Sequence, residues 1–181
     1  MDQENRLLDQ IVHTFQTKNG IQIRVRPLHP GDTGHLVDIF DNMGQDSRYT
    51  RFNLTLLDPD PATVWQEAAE IANINRPQSD GWLAFADLPG RPNTAVAGIR
   101  YAHTQEGEAE IAISVRDDMQ NKGIGTALMA YLFAQAKEAG IKRLVAQAQR
   151  NNRPLWQMLK KSPIPIERTP DGSHVYLEVD L

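Results

Sequence analysis

Apolar residues alternate with polar ones in several short runs of this chain and recur at helical spacing in others, and these two periods divide it into elements. "VHTFQTKNGIQIRVRPL" carries two alternating runs around Asn19-Gly20, the dipeptide most favoured in a type I′ hairpin turn, and predicts strand, turn, strand. In "HPGDTGHLVDIFDNM", Leu36, Ile39, Phe40 and Met43 fall at helical spacing behind Asp32, the expected N-cap. A second helix is predicted over residues 60–74, with Pro61 in its first turn and Val64, Ala68, Ile71 and Ala72 along its stripe.

Three strand-like runs follow, "GWLAFADL", "TAVAGIRYAH" and "EAEIAISVR", separated by the turn-rich "PGRPN" and "TQEGE", so an antiparallel meander is expected. A long helix over 123–139 repeats Ile124, Leu128, Leu132 and Ala136 every fourth residue, and Gly140 stands where a C′ glycine belongs. "KRLVAQAQ" then reads as a strand, "NRPLWQMLKK" as a helix and the tail as a hairpin with Asp171-Gly172 in its turn. The order is α+β, a mixed, mostly antiparallel central sheet flanked by helices in a single domain, with one strand-helix-strand crossover in the second half. Residues 1–18 are read as an N-terminal arm and first strand, the arm taking the first ten residues, and residues 19–181 as the domain proper.

Charge and composition narrow the chemistry. The 181 residues hold 19 Lys and Arg against 23 Asp and Glu, a net charge of −4 with no like-charge run that would form a nucleic-acid stripe. With no cysteine, disulfides, thiolate metal sites and a cysteine nucleophile are excluded. No His, Asp and Glu cluster has metal-ligand spacing, so no metal is expected. The N-terminus lacks a secretory signal pattern and no apolar stretch approaches the ~20 residues needed to span a bilayer, so a soluble, cytoplasmic protein is expected.

The stretch "SVRDDMQNKGIGTALM" joins the third meander strand to the long helix. Gly123 and Gly125 let the backbone approach a ligand, and the first-turn N–H groups of the helix lack internal partners, so the turn suits a phosphate or pyrophosphate. A dinucleotide fingerprint fails because Leu128 stands at the third glycine, and a P-loop fails because Gly125 is followed by Thr126-Ala127.

"QNKGIG" instead matches the Gln/Arg-x-x-Gly-x-Gly/Ala signature of the GCN5-related N-acetyltransferases (GNAT), and the chain resembles that family in element order from about Gly20 to its C-terminus. More narrowly, "NGIQIRVRPLHPGD", "SRYTRF" and "AEIAISVRDDMQNKGIGTALM" resemble the acetyltransferase domain of bacterial protein lysine acetyltransferases. The resemblance implies the GNAT fold and acetyl-CoA as co-substrate. Its pyrophosphate would sit on Gln120, Asn121, Lys122, Gly123, Ile124, Gly125 and Thr126, and the backbone of Ile113, Ser114 and Val115 would align its thioester. Asn152 is a further candidate contact, or alternatively a helix N-cap.

Acetyl transfer to an amine needs a neutral amine, and deprotonating a lysine of pKa about 10.4 at pH 7 costs about 4.6 kcal/mol. A positioned base lowers that barrier. Strand alternation puts Ala109, Ile111, Ile113 and Val115 on one face and Glu108, Glu110, Ala112 and Ser114 on the other. Glu110, a carboxylate among small residues, is the first candidate for that base, directly or through a water, and it matches the glutamate of the "AE" pair in the resembling enzymes. The alternative is a structural ion pair with Arg100 across the hairpin. His103 is a second candidate base, whereas Glu108 is expected to be solvated.

"SRYTRF" falls where the family builds the acceptor wall, so Arg48, Tyr49 and Arg51 are candidates to line it, with a core role for Tyr49 and Phe52 the alternative. One family feature is missing. Leu159 stands where many members carry a tyrosine acid, and Pro163-Ile164 replaces Gly-Phe, so tyrosine acid catalysis does not transfer. Leu155, Trp156 and Leu159 are expected to be core.

The function expected is transfer of acetyl from acetyl-CoA to a primary amine, with a protein lysine favoured. The alternatives are a polyamine, amino-acid or aminoglycoside acetyltransferase, or a non-catalytic acyl-CoA-binding sensor suggested by the missing tyrosine. Acetyl-CoA and the amine acceptor are the partners expected, with no nucleic acid or membrane and a homodimer left open.

Overall fold

The structure is a computed structural model that describes residues 10–52, 59–75, 77–162 and 164–181. The arm assigned to the first ten residues lies almost wholly outside them, as does Pro163. Eight strands form one sheet: β1 (His13–Gln16), β2 (Gln22–Pro27), β3 (Ser79–Leu88), β4 (Arg91–Gln105), β5 (Glu108–Val115), β6 (Arg143–Gln149), β7 (Glu167–Asp171) and β8 (His174–Asp180). Their spatial order is β1-β2-β3-β4-β5-β6-β8-β7, antiparallel throughout except for the β5–β6 pair. The helices are α1 (Thr33–Asp41), α2 (Gln45–Phe52), α3 (Pro61–Ala72), α4 (Ile124–Glu138) and α5 (Arg153–Leu159).

The meander and the crossover through α4 form as their patterns predict. Alternate strand residues feed two cores on opposite faces of the sheet. Ile124, Leu128, Leu132 and Ala136 of α4 cover Val25, Ala84, Ile99 and Ala109 on one face. Ile39 and Met43 at the end of α1 cover Leu83, Phe85 and Ala95 on the other, with Ile71 of α3 alongside.

Three local expectations are corrected. The first hairpin does not close on a two-residue turn at Asn19-Gly20: Gln16 pairs with Gln22, leaving a five-residue loop. A type I′ turn needs positive φ at both central residues, and only Gly20 has it, at +83°. The Thr17 hydroxyl holds the loop, donating to Asn19 Oδ1 at 2.7 Å and accepting from the Ile21 N–H at 2.9 Å.

Asp32 precedes α1 as expected but its side chain does not cap it. The carboxylate turns inward to a bidentate pair with Arg26, at 2.7 and 2.8 Å, and also accepts from the His29 N–H at 2.8 Å. Both side chains are almost wholly buried, at 3% and 1% exposure. Burial alone would raise the Asp32 carboxyl pKa, yet the Arg26 and His29 hydrogen bonds hold it below the usual range.

α2 is an unpredicted helix, because "QDSRYTRF" carries no apolar stripe to reveal it. At the tail, Asp171 pairs with His174, so the turn itself is Gly172-Ser173. β8, not β7, lies against β6.

Candidate active site

β5 and β6 pair through only three positions, Glu108 with Arg143, Ala109 with Leu144 and Glu110 with Val145, and then part. β5 stays paired with β4 as far as Val115, so its other edge is unmatched from Ile111 to Val115. A cavity of about 640 Å³ fills the parting, walled by this edge, by Ala146, Gln147 and Ala148 of β6 and by Pro154, Leu155 and Met158 of α5. Unpaired strand N–H and C=O groups need partners from a ligand or water, so the gap suits an extended chain rich in amide groups.

The loop after β5 closes one end. Arg116, at 2% exposure, donates to Asp38 at 2.9 Å, Asn42 at 3.0 Å and both oxygens of Asp118 at 3.1 and 3.0 Å, tying the loop to α1. Asp117 accepts from the Gly44 N–H at 2.8 Å. Gln120 points its amide back at Asp117 Oδ1, 2.9 Å away, and at Ser47 and the Val115 carbonyl, both 3.3 Å. Asn121 and Gly123 take left-handed φ of +60° and +92°, and this reversal sets the first turn of α4 against the cavity. The N–H groups of that turn have no intrahelical acceptor and carry the positive end of the helix dipole.

Gly123 is required by its φ, since a Cβ there meets nothing closer than Lys18 Cγ at 3.8 Å. Gly125 is different. Its φ is ordinary, and a Cβ would point at Met158 Sδ, 3.0 Å away in the cavity wall.

Glu110 sits at the last β5–β6 pair, where the strands part, on the face away from α4 with Ala112 and Ser114. Its carboxylate is exposed to the cavity, and among the described residues it makes no hydrogen bond or ion pair. The expected alternative, a pair with Arg100, does not form, because Arg100 stands opposite Ala112. Arg51, from α2, donates to Ser114 Oγ at 3.1 Å. Burial, and then the charge of Arg100, lower the Arg51 pKa to about 10 against the opposing pull of Glu110. The Arg100 Nε is buried and has no hydrogen-bond partner among the described residues.

The cavity is also lined by Ile113, Ser114 and Val115 of β5, by Gln120 and Asn121 of the loop and by Gly123, Ile124, Gly125 and Thr126 at the start of α4. Asn152 lines it and is at the same time the N-cap of α5, accepting from the Leu155 N–H at 3.1 Å. Lys122 does not line it: its ammonium folds back onto the Asp118 carbonyl. His103 is exposed on the opposite face, its ring edge-on to Tyr101, and Glu108 is held by the Thr104 hydroxyl at 2.7 Å.

Within "SRYTRF", Ser47, Thr50 and Arg51 are the described side chains that reach the cavity. Arg48 lies 4.2 Å over the Phe40 ring instead, and Tyr49 is exposed. The Phe52 side chain is outside the described set. Leu159 belongs to the small core under α5 and Leu155 and Trp156 pack against it; Leu155 and Leu159 also wall the cavity, and the Trp156 ring N–H donates to the Arg150 carbonyl at 2.9 Å. Sequence reasoning missed Arg100 as a site residue and missed Lys18 and Met158 altogether. Only the alternation of β4, which puts Arg100 on the Glu110 face, carried a signal for any of them.

Among the described residues, no cluster of three His, Asp or Glu could hold a metal, and no helix is long and apolar enough to cross a membrane.

Comparison with known proteins matches residues 50–162 to the model of the Acetyltransferase (GNAT) family. An acetyltransferase of Pseudomonas aeruginosa is 23% identical over 155 residues, spanning 86% of this chain and 81% of its own. The crystal structure of the GNAT domain of S. lividans PAT superposes with a TM-score of 0.78 at 24% identity, covering 93% of this chain and 96% of that one. A PaiA N-acetyltransferase from Thermoplasma acidophilum, solved in complex with coenzyme A, gives 0.61 at 18% identity over 88% and 99%.

Proposed function

The chain belongs to the acetyltransferase (GNAT) family, and from that premise we propose that it transfers acetyl from acetyl-CoA directly to a primary amine, a protein lysine side chain, with Glu110 as general base. The observation that carries this reading is the exposed, unengaged Glu110 carboxylate at the point where β5 and β6 part.

Acyl-CoA binding fits the groups present. The orphan N–H groups at the start of α4, with the loop from Gln120 to Gly123, suit the pyrophosphate. The unmatched edge from Ile111 to Val115 suits the amides of the pantetheine arm. Glu110 accepts the proton of the incoming ammonium, directly or through a water, and the freed nitrogen lone pair attacks the thioester carbon. A β5 N–H in the gap then stabilises the oxyanion of the tetrahedral intermediate. When the intermediate collapses, the C–S bond breaks, the nitrogen sheds its second proton to water or to the departing sulfur, and the thiolate or thiol leaves. With a thiol pKa near 8.5, by analogy with cysteine, departure needs no dedicated acid, which suits a chain with Leu159 at the tyrosine position.

The resemblance of "SRYTRF" and "AEIAISVRDDMQNKGIGTALM" to the bacterial protein lysine acetyltransferases supports the lysine acceptor. The test is thiol release from acetyl-CoA with a panel of lysine peptides, polyamines and amino acids. Release is expected with lysine peptides above the other amines. Saturable CoA binding with no release from any acceptor would defeat the proposal.

A further inference from the structure

Next to the large cavity, on the face of the sheet away from α4, lies a smaller apolar one of about 260 Å³, walled by α1, α3, β3 and β4. The two meet at Met43, Arg51, Arg100, Ala112 and Ser114, which line both. Two guanidinium groups therefore stand together, half-buried, in the middle of the sheet. Burial first, and then the charge of Arg100, holds the Arg51 proton less tightly than an ordinary guanidinium's. Glu110, diagonal to Arg100 on the same sheet face, lines the large cavity with them and Glu67 lines the outer cavity, yet neither carboxylate is hydrogen-bonded to Arg100. A buried charged donor without an acceptor is costly, and among the described residues the Arg100 Nε is such a donor.

We propose that Arg100, with Arg51, receives a carboxylate of the acceptor, so that the preferred acceptor carries a carboxylate several bonds from its reacting amine.

Geometry places the anion on the acceptor and not on the acyl-CoA. Arg100 is in register with Ala112, three residues short of Val115, where β5 gives way to the anion-binding loop. At about 3.4 Å per residue, that sets Arg100 roughly 10 Å from the loop. Strand geometry also bounds the spacing within the acceptor. Arg100 pairs with Ala112 and so lies diagonal to Glu110 across the β4–β5 ladder, about 7–8 Å away, and an acceptor whose amine and carboxylate span a comparable distance suits both. The ε-amine and α-carboxylate of lysine span such a distance, and so do a lysine side chain and an acidic residue beside it in a polypeptide. An α-amine and its own carboxylate do not. Arg suits this role because its planar fork takes a carboxylate in two parallel hydrogen bonds.

This inference rests on the proposed transfer to lysine, and two matched acceptor pairs test it in the wild-type enzyme. One pair is a lysine peptide with glutamate beside the target and the same peptide with glutamine. The other is free lysine and lysinamide. Charge-assisted hydrogen bonds to a poorly solvated guanidinium predict kcat/KM higher by roughly 10- to 100-fold for the carboxylate member of a pair. A preference confined to the peptides identifies an acidic residue of a protein as the source, and one confined to lysine identifies a small-molecule acceptor.

Arg100→Gln should abolish the preference and Arg100→Lys restore part of it. Calorimetric binding of acetyl-CoA certifies that each variant is folded. Thiol release with no preference in either pair overturns this inference and leaves the transfer reading intact. No release from any of the four acceptors overturns the lysine reading beneath it.

Discussion

Replacing Glu110 by glutamine keeps the volume and hydrogen-bonding reach of the side chain and removes its capacity to take a proton. The native carboxylate is exposed and, among the described residues, makes no ion pair. Structural cost is therefore that of an ordinary surface change, within about 0.5 kcal/mol, and the melting temperature should move by no more than about 2 °C. The kinetic cost is larger. At pH 7 the acceptor amine needs about 4.6 kcal/mol to become neutral, and a positioned base typically supplies 10²- to 10⁴-fold, or about 2.7 to 5.4 kcal/mol, of such a barrier. Turnover of Glu110→Gln should fall within that span while acetyl-CoA affinity is unchanged. By pH 9 the deprotonation cost is only about 1.9 kcal/mol, so the deficit should narrow by up to about 100-fold. The assay is thiol release between pH 7 and 9 on a lysine peptide, with calorimetry for acetyl-CoA and a thermal melt as companions. Near-full turnover at pH 7 would refute the base assignment. So would a loss of rate that tracks equal losses of melting temperature and acetyl-CoA affinity.

Asp32→Ala strands a buried Arg26 and should destabilise the fold by about 3–5 kcal/mol, which urea denaturation would read; a loss under 1 kcal/mol would show the pair to be dispensable. Asp32 and Asp118 both have pKa values lowered in the folded state, and Asp87, mainly through its hydrogen bond from Arg24, is lowered to about 2. Their stabilising effect is complete above the ordinary carboxylate pKa near 3.9 and is lost as pH falls through the folded values. The urea midpoint should therefore decline between about pH 4 and pH 2, and a flat midpoint there would contradict these assignments. Gly123→Ala places a Cβ at φ +92° and should cost about 1–2 kcal/mol. Gly125→Ala only displaces the Met158 thioether and should cost less, so the reverse order in thermal melts would refute this distinction.

The meander, the crossover and α4 were readable because their apolar periods are strong and their partners are sequence neighbours. α2 was not, because "QDSRYTRF" offers only Tyr49 and Phe52 among polar residues and is held by contacts such as Arg48 on Phe40 and Arg51 on Ser114. Asp32 misled for a related reason. Its position before an apolar stripe is a good cap signal, but the competing partner, Arg26, comes from a strand and declares itself only when the chain folds. Asn19-Gly20 marked a turn correctly and its type wrongly, since Thr17 offers its hydroxyl to a longer loop.

At the candidate site, spacing and alternation singled out the glycine loop and Glu110, and both line one cavity. The Arg51–Arg100 pairing was not, because one residue comes from the hidden helix and the other from the middle of an apolar strand. Lys122 lay inside the motif, yet its ammonium found a carbonyl of its own loop.

The parting of β5 and β6 also bears on how the molecule comes apart. Only three residue pairs join the sheet across it, and on the far side β6, β7, β8 and α5 enclose a small core of their own, Ala148, Leu159 and Leu177, while Leu144 of β6 and Val179 of β8 reach into the main core under α4. With so short a ladder, the outer part of this block, β7 and α5 and the parted end of β6, is where partial opening below the global free energy is expected. Anything that fills the gap and touches both walls ties that block to the rest. Its amides then gain hydrogen-exchange protection at residues the occupant never contacts, and unfolding becomes a single event.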